Sequence, residues 1–596
     1  MNRRLGLSFG ALAALAALCT VIALASTANA QVSGYSALEQ SVVAQRLAER
    51  KLVLDPEPEG KIIEDVQIAT MDVFDERDPV PDWVDVLHTT TRARVIRREL
   101  LFDEGTRYDA RRVDETARNL RELIQLSIVL IVPARGSTAD RVRVLVITKD
   151  VWSLRLNWLL QSQNAHINYL VLNPSEENLF GLHAIIGGLF VLDPARYSLG
   201  LTLGHRRLFG SHIQASAAAS VIKNRETGAA EGSFGEFRYG EPLYSLDTEW
   251  SWGTSLLWQH DIARRFKGIN VARYNAPATS LNDAIPVTYN RDRSYGGYQL
   301  VRSFGRRFKY DLSVGLEALR GEYSPRDLSA YDPRAAADFV RDQLPVSDQR
   351  ISPFLQLHAH RTDYGSLIEV ETLGLQENFR RGHDLVLRVY PASSKLGSSR
   401  DLIGSLATLS YTFPLADGLV RPLAGTIIEY AAHGKSDALF ETRLHVVSPR
   451  FKLGRVVLDG QLSDRFRNYL NRKFLLGGDN RLRGYEPGAE QGASLLALNA
   501  ELRTTSVDIL SAQVGAAVFD DAGDAQDRVS DFRLKQSAGL GLRVLFPEFD
   551  RIVFRADWGF PLSPGYSTFP GAFFVSFAQA FSMPEVNAPN VLTETL

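Results

Sequence analysis

From Val151 to the end, the chain is cut into segments of about ten residues that alternate in polarity between glycine-, asparagine- and aspartate-rich turns. In Arg551–Phe560, the residues Ile552, Phe554, Ala556, Trp558 and Phe560 share one face, and Arg551, Val553, Arg555, Asp557 and Gly559 share the other. Ser494–Arg503 sets Leu496, Leu498, Ala500 and Leu502 against Asn499, Glu501 and Arg503. A period of two belongs to a strand, and a long succession of such strands must pair its backbone groups by sheet closure or stacking. Two architectures do this: a large soluble β protein whose apolar faces meet in a core, and a closed barrel whose apolar faces meet lipid. Alternation alone does not choose between them.

Other features narrow the choice. Arg3 and Arg4 precede an apolar run from Leu5 to Ala25, and Ala28-Asn29-Ala30 is a small-x-small cleavage signature before Gln31, so residues 1–30 read as an export signal. Cys19, the single cysteine, lies inside that run, and Leu18 before it is too bulky for a lipoprotein processing site. The mature chain is thus expected to hold no disulfide and no cysteine-based metal site or nucleophile. Without Arg3 and Arg4, 65 Lys and Arg stand against 69 Asp and Glu, a net charge of −4 that does not suit nucleic-acid binding. Past the signal there is no apolar run of about 18 residues for a membrane helix. Aromatics at 10% and 45 glycines agree with many short strands and turns.

Residues 31–60 are polar, with a helix-like piece around Leu38–Leu54, and read as a leader or linker. From Lys61 the pattern becomes β-α-α-β-β. Ile62–Ile68 reads as a strand and Thr90–Phe102 as an amphipathic helix. Asp109 caps a second helix over Ala110–Leu123, and strands follow at Ser127–Pro133 and Arg141–Thr148. That makes residues 61–150 one compact α+β domain. Its stretch Val95-Ile96-Arg97-Arg98-Glu99-Leu100-Leu101-Phe102, with Glu104-Gly105 and Tyr108-Asp109, is similar to a POTRA domain, the periplasmic module of BamA-type outer-membrane proteins. The resemblance implies a module that takes client chains or accessory proteins on an open sheet edge. One such module is present, against the five expected of BamA itself.

The stretch Asp464–Gly488 is basic and aromatic at first, passes a Gly477-Gly478-Asp479-Asn480 turn, and reaches Leu482-Arg483-Gly484-Tyr485. By itself it reads first as an ordinary surface loop, with an inward loop presenting Arg483 to a carboxylate as the alternative. Downstream, Phe519-Asp520-Asp521-Ala522-Gly523 fits F-x-D-x-G, and Ser537-Ala538-Gly539-Leu540-Gly541-Leu542-Arg543 fits S-x-G-x-G-L-R. Asn178-Leu179-Phe180-Gly181 and Leu208-Phe209-Gly210 bound early strands. In this order after a POTRA-like domain, these motifs resemble the surface-antigen barrel of the BamA/TamA superfamily. The resemblance implies that the Leu482–Tyr485 loop folds into the lumen and that Arg483 pairs with Asp521. Phe519, Gly523, Gly539, Gly541 and Arg543 are the further inner-wall partners it implies. Phe573, Val575, Phe577 and Phe581 share a face of the final strand, like the C-terminal signal of outer-membrane barrels, although about fifteen residues trail behind Phe581.

The expectation is therefore a transmembrane β-barrel of about 16 antiparallel strands over residues 151–581, a periplasmic POTRA-like domain before it and a tail over 582–596. Trp152 to Phe581 is 430 residues, roughly 27 for each strand and its loop. The barrel is expected to close at a seam marked by Trp152, Phe573, Phe577 and Phe581. No enzyme chemistry is expected. The one G-x-S-x-G match, Gly6–Gly10, lies in the signal without a strand-turn-helix context. His358 and His360 share a strand face with no third ligand evident nearby in sequence, and no phosphate loop or dinucleotide fingerprint occurs, so no cofactor or metal is expected. The partners expected are the outer-membrane bilayer and unfolded client polypeptides, with periplasmic accessory proteins at the POTRA-like domain and no nucleic acid. The function implied is polypeptide insertion or translocation without nucleotide hydrolysis. The alternatives are two-partner secretion of one exoprotein, or a passive pore or lipid-handling envelope protein.

Overall fold

The computed structural model describes residues 35–71, 73, 89–163, 166–279, 282–478, 481–510, 512–547 and 552–577. The expected export signal, Phe581 and the expected tail lie outside the described residues.

The N-terminal part is an α+β domain. Helix α1 (Ala37–Glu49) starts at a reciprocal cap, in which Ser36 Oγ accepts from Glu39 N and Glu39 Oε2 accepts from Ser36 N. Then come β1 (Ile62–Met71), α2 (Ala93–Glu99), α3 (Ala110–Arg121), β2 (Leu126–Arg135) and β3 (Arg141–Asp150). The sheet order is β1-β3-β2, with β3 parallel to β1 and antiparallel to β2. One face packs Val142, Val144 and Val146 against Ile96, Val113 and Leu120 of α2 and α3. The other packs Leu145, Ile147 and Leu130 against Val42 of α1. Helix α1, within the stretch read from sequence as a leader or linker, therefore covers the sheet. The central strand is apolar on both faces, as a strand buried on both sides must be, and α1 supplies the second cover.

The remainder is a closed barrel of 20 antiparallel strands. They are β4 (Leu154–Gln163), β5 (His166–Leu179), β6 (Ala184–Leu192), β7 (Arg196–His205), β8 (Gln214–Asn224), β9 (Ala230–Glu241) and β10 (Trp250–Arg264). Next are β11 (Thr288–Phe304), β12 (Phe308–Pro325), β13 (Asp348–Arg361, continued by Asp363–Ile368), β14 (Gln376–Ala392), β15 (Leu402–Leu415), β16 (Gly418–Ala431) and β17 (Asp437–Val447). The set ends with β18 (Gly454–Asn468), β19 (Ser494–Thr504, continued by Val507–Ile509), β20 (Ala512–Gln526), β21 (Lys535–Leu545), β22 (Phe554–Pro561) and β23 (Ala572–Phe577). The expected count of about 16 is too low because it assumed uniformly long loops. Joins such as residues 193–195 and 416–417 are tight hairpins, which leaves residues for more strands.

The wall is apolar outside and polar inside. Leu199, Leu201 and Leu203 of β7, Leu312, Val314 and Leu316 of β12, and Leu540 and Leu542 of β21 are exposed on its outer surface. Between them Asp311, Ser313 and Glu317 are buried on the inner side. That inversion of a soluble core is the pattern of a lipid-facing barrel. No helix among the described residues is long and apolar enough to cross a membrane.

The α+β domain is bound to one mouth of the barrel, called the near mouth below. Glu99 at the end of α2 takes both Nε and Nη2 of Arg207, at 2.6 and 2.7 Å. Asn178 Nδ2 donates to the Thr89 carbonyl, and Thr91 Oγ1 lies 3.0 Å from His183 Nε2. Asn119 Nδ2 donates to the Tyr244 carbonyl, and the Arg118 guanidinium lies over the Tyr364 ring. At the far mouth, α4 (Pro333–Gln343) and the β10–β11 loop make a small core of Phe339, Ala335, Ile285 and Val287.

Candidate functional site

The chain between β18 and β19 (residues 469–493) turns back into the barrel from the far mouth. Its base is a short hairpin in which Phe474–Leu476 pairs with Glu490–Gly492. Leu476, Leu482 and Tyr485 pack on Leu495, Ala497 and Ala525 of the wall, so an apolar cluster seats the loop beside its charged contacts. Tyr485 is buried and donates its hydroxyl to the Gln536 carbonyl at 2.8 Å. Gly484 has φ +97°, and a Cβ there would stand 2.9 Å from backbone atoms of Gly559 and Phe560. A glycine is required on both counts.

This bend delivers Arg483, fully buried, to a set of carboxylates. Nε and Nη2 donate to the two oxygens of Asp521 at 2.8 and 2.9 Å, and the Arg483 backbone N–H adds a third bond to the same side chain. Nη1 donates to Glu501 Oε2 and to Asp557 Oδ2, each at 2.9 Å. The guanidinium carbon lies 3.4 Å from the centroid of the Phe519 ring. A planar fork suits a carboxylate on its edge and an aromatic ring on its face, which a lysine cannot reproduce.

The other motif residues surround that contact. Arg543 holds two of the same three carboxylates, with Nη1 on Asp557 Oδ1 at 2.6 Å and Nη2 on Glu501 Oε1 at 2.9 Å. Gly539 leaves room for the Phe519 ring, since a Cβ would come within 2.3 Å of its Cζ. A Cβ on Gly541 would stand 2.2 Å from Asp557 Oδ1, and one on Gly523 would stand 2.8 Å from Leu476 Cδ2.

Four participants were not singled out from sequence: Glu501, Asp557, Arg503 and Arg555. Arg503 Nε donates to Glu501 Oε1 at 3.0 Å, and Arg555 Nη1 donates to Asp557 Oδ2 at 3.3 Å. Their signal was present, because each is a charged residue on the inward face of an alternating strand. Arg555 also donates to Ser576 Oγ, which carries the network onto β23. A second insertion meets it from the near mouth. The β13–β14 turn (369–375) reaches across the lumen, so that the Val370 carbonyl accepts from Arg503 Nη1 at 2.8 Å. Leu373 and Leu375 of that turn pack on Leu545 and Val553.

At the seam, the described residues pair Leu160–Gln163 of β4 with Ala572–Val575 of β23. Phe573 lies opposite Ser162. Phe577 stands beyond this ladder, edge-on to Trp158 and Phe554. Trp152 is not a seam residue. The first barrel strand starts at Leu154, and Trp152 is buried below it, where the α+β domain meets the barrel.

The sequence profile described as the Omp85 superfamily domain matches residues 213–566. No curated protein matches the chain. Among solved structures, CdiB from Acinetobacter baumannii is similar at 12% identity and a TM-score of 0.39, over 97% of this chain and 88% of that one. BamA from Haemophilus ducreyi lacking POTRA domains 1–3 gives 12% and 0.36, over 94% and 97%. CdiB from Escherichia coli gives 12% and 0.40, over 89% and 80%.

Proposed function

Because the chain belongs to the Omp85 superfamily of outer-membrane barrels, we propose that it inserts or translocates polypeptides at the outer membrane without nucleotide hydrolysis. In this reading, residues 1–30 are the export signal and the α+β domain is a POTRA-like module in the periplasm that hands clients to the near mouth. The observation that carries the proposal is the seam. Among the described residues its ladder joins Leu160–Gln163 of β4 to Ala572–Val575 of β23, the first strand of the barrel to the last. The join between first and last strands is the one place where the wall can part without breaking a hairpin, and a freed strand edge is a template for an incoming strand.

The loop network gives the other half of the mechanism. By binding carboxylates on β19, β20 and β22 at once, Arg483 holds the wall beside the seam rigid. A client strand is then added to a fixed edge while β4 swings away. The test is a covalent lock made from cysteines at Ser162 and Phe573, which lie opposite each other. The oxidised lock should stop client insertion by the purified protein in vesicles, and a reductant should restore it. Full activity with the lock closed would reject the lateral route and favour transport through the lumen, as in two-partner secretion.

A further inference from the structure

His358 and His360 of β13 point into the lumen near the near mouth, where register brings Asp311 of β12 opposite His358 and Asp384 of β14 opposite His360. The hydrogen-bonding roles follow from the carboxylates. His358 Nε2 lies 2.8 Å from Asp384 Oδ1. A carboxylate only accepts, so Nε2 carries the proton and Nδ1 of the neutral ring is left with its lone pair. That lone pair faces Asp311 Oδ2 at 3.7 Å, and His360 Nδ1 lies 3.8 Å from the same oxygen. His360 is buried, at 8% exposure, and its Nδ1 has no hydrogen-bond partner. Two imidazole nitrogens and one carboxylate oxygen thus converge within 4.8 Å of one another, and His360 Nδ1 offers a lone pair in the tautomer that carries its proton on Nε2.

Ser303 Oγ donates to the other oxygen of Asp311 and fixes its orientation. Arg380 pairs with Asp384, and Lys309 Nζ is taken up by the Leu246 carbonyl at 2.7 Å. We propose that Asp311, His358 and His360 form a binding site for one divalent transition-metal ion of the zinc class, with Asp384 as the outer carboxylate that orients His358. A set of two imidazoles and one carboxylate, with a position left for water, is a ligand set that zinc accepts. A ligating histidine that hands its second N–H to a carboxylate is the usual supporting arrangement. Closing from the observed separations to zinc's bond lengths of about 2.0–2.2 Å requires shifts of a few tenths of an ångström at each ring. Because the ligands come from two adjacent strands, the ion would clip β12 to β13 under the docked domain.

The experiment uses the folded full-length mature protein in detergent without a polyhistidine tag, stripped with chelator and titrated with zinc chloride. One equivalent of zinc is expected per chain. H360Q and D311N should lose it, and D384N should weaken it by about 10–100-fold. H260Q, which removes an exposed histidine elsewhere on the wall, should bind as the parent does. Heat-modifiable gel mobility reports whether each variant is folded. X-ray absorption on the parent loaded with zinc needs no variant and should show two imidazole ligands. Absence of stoichiometric zinc, binding that survives in H360Q and D311N, or fewer than two imidazoles would overturn the assignment and leave a water-filled gap between the rings.

Discussion

Arg483 and Arg503 hold opposite oxygens of a single carboxylate: Arg483 Nη1 donates to Glu501 Oε2 at 2.9 Å and Arg503 Nε to Glu501 Oε1 at 3.0 Å. Through Arg503 the contact continues to the carbonyl of Val370. Two insertions that enter the barrel from opposite mouths are thereby joined at one buried residue of β19. A change in either is felt at the other through three charge-assisted hydrogen bonds.

Removing the central cation tests this network. Arg483→Ala leaves Asp521, Glu501 and Asp557 in a dry wall with one partner fewer each, and breaking a buried ion pair from one side costs about 3–5 kcal/mol. The variant should still reach the membrane, but the temperature at which its compact gel form is lost should fall and client insertion should fail. Arg483→Lys should recover only part of the loss, since one ammonium cannot span both Asp521 oxygens. A parent-like melting profile with full activity would remove Arg483 from the mechanism.

Gly484→Ala probes the bend without touching a charge. The added methyl meets the backbone at Gly559 and Phe560, and alanine at φ +97° is strained by roughly 1–3 kcal/mol. The loop should lift from β22 and become sensitive to protease, with Tyr485 exposed. Gly559→Ala should give the same pattern, since a Cβ there would stand 2.6 Å from Gly484 N. Protection equal to the parent in both variants would show that the loop tolerates displacement.

Docking of the α+β domain should weaken in acid. Burial holds His183 neutral and lowers its pKa to about 4, against opposing pulls from Asp150 and Glu99 and with repulsion from Arg206 and His205. A group depressed in the docked state takes its proton more readily once freed. The docked state is therefore penalised progressively as pH falls from 6.5 towards 4, by on the order of 3 kcal/mol at the end. Burial raises the pKa of Glu99, but its pair with Arg207 outweighs this and leaves it below the usual glutamate value. Its contribution is present above pH 4.5 and is lost as pH drops further. Protease release of the domain should therefore rise between pH 6.5 and 4, and His183→Gln should flatten the upper part of that curve. A profile independent of pH would exclude His183 as the sensor.

Alternation in Ser494–Arg503 and Arg551–Phe560 made the strands readable from sequence, whereas the choice of a lipid-facing wall over a soluble one needed the export signal and the order of the motifs. The pairing of Arg483 with Asp521 was legible only through the resemblance of the surrounding motifs to the BamA/TamA barrel, because the residues of the loop alone left its direction open. The strand number was not legible, since it depends on turn lengths that no periodicity reports. Glu501 and Asp557 were visible as inward charges, but which inward charges meet is set by the curvature and stagger of the closed wall. The role of α1 was hidden by its polar composition, although the doubly apolar β3 asked for a second cover. The crossing turn at 369–375 left Val370, Leu373 and Leu375 as a trace, apolar residues where a solvent-facing hairpin has no use for them.

The bonds of Asp521 carry a last consequence. Its carboxylate is held by Arg483 and by Asn499 Nδ2, and it has no exposure to water. The same loop that shuts water away from Asp521 also brings the cation that compensates it, so burial and neutralisation arrive together and the carboxylate is never left dry and unpaired.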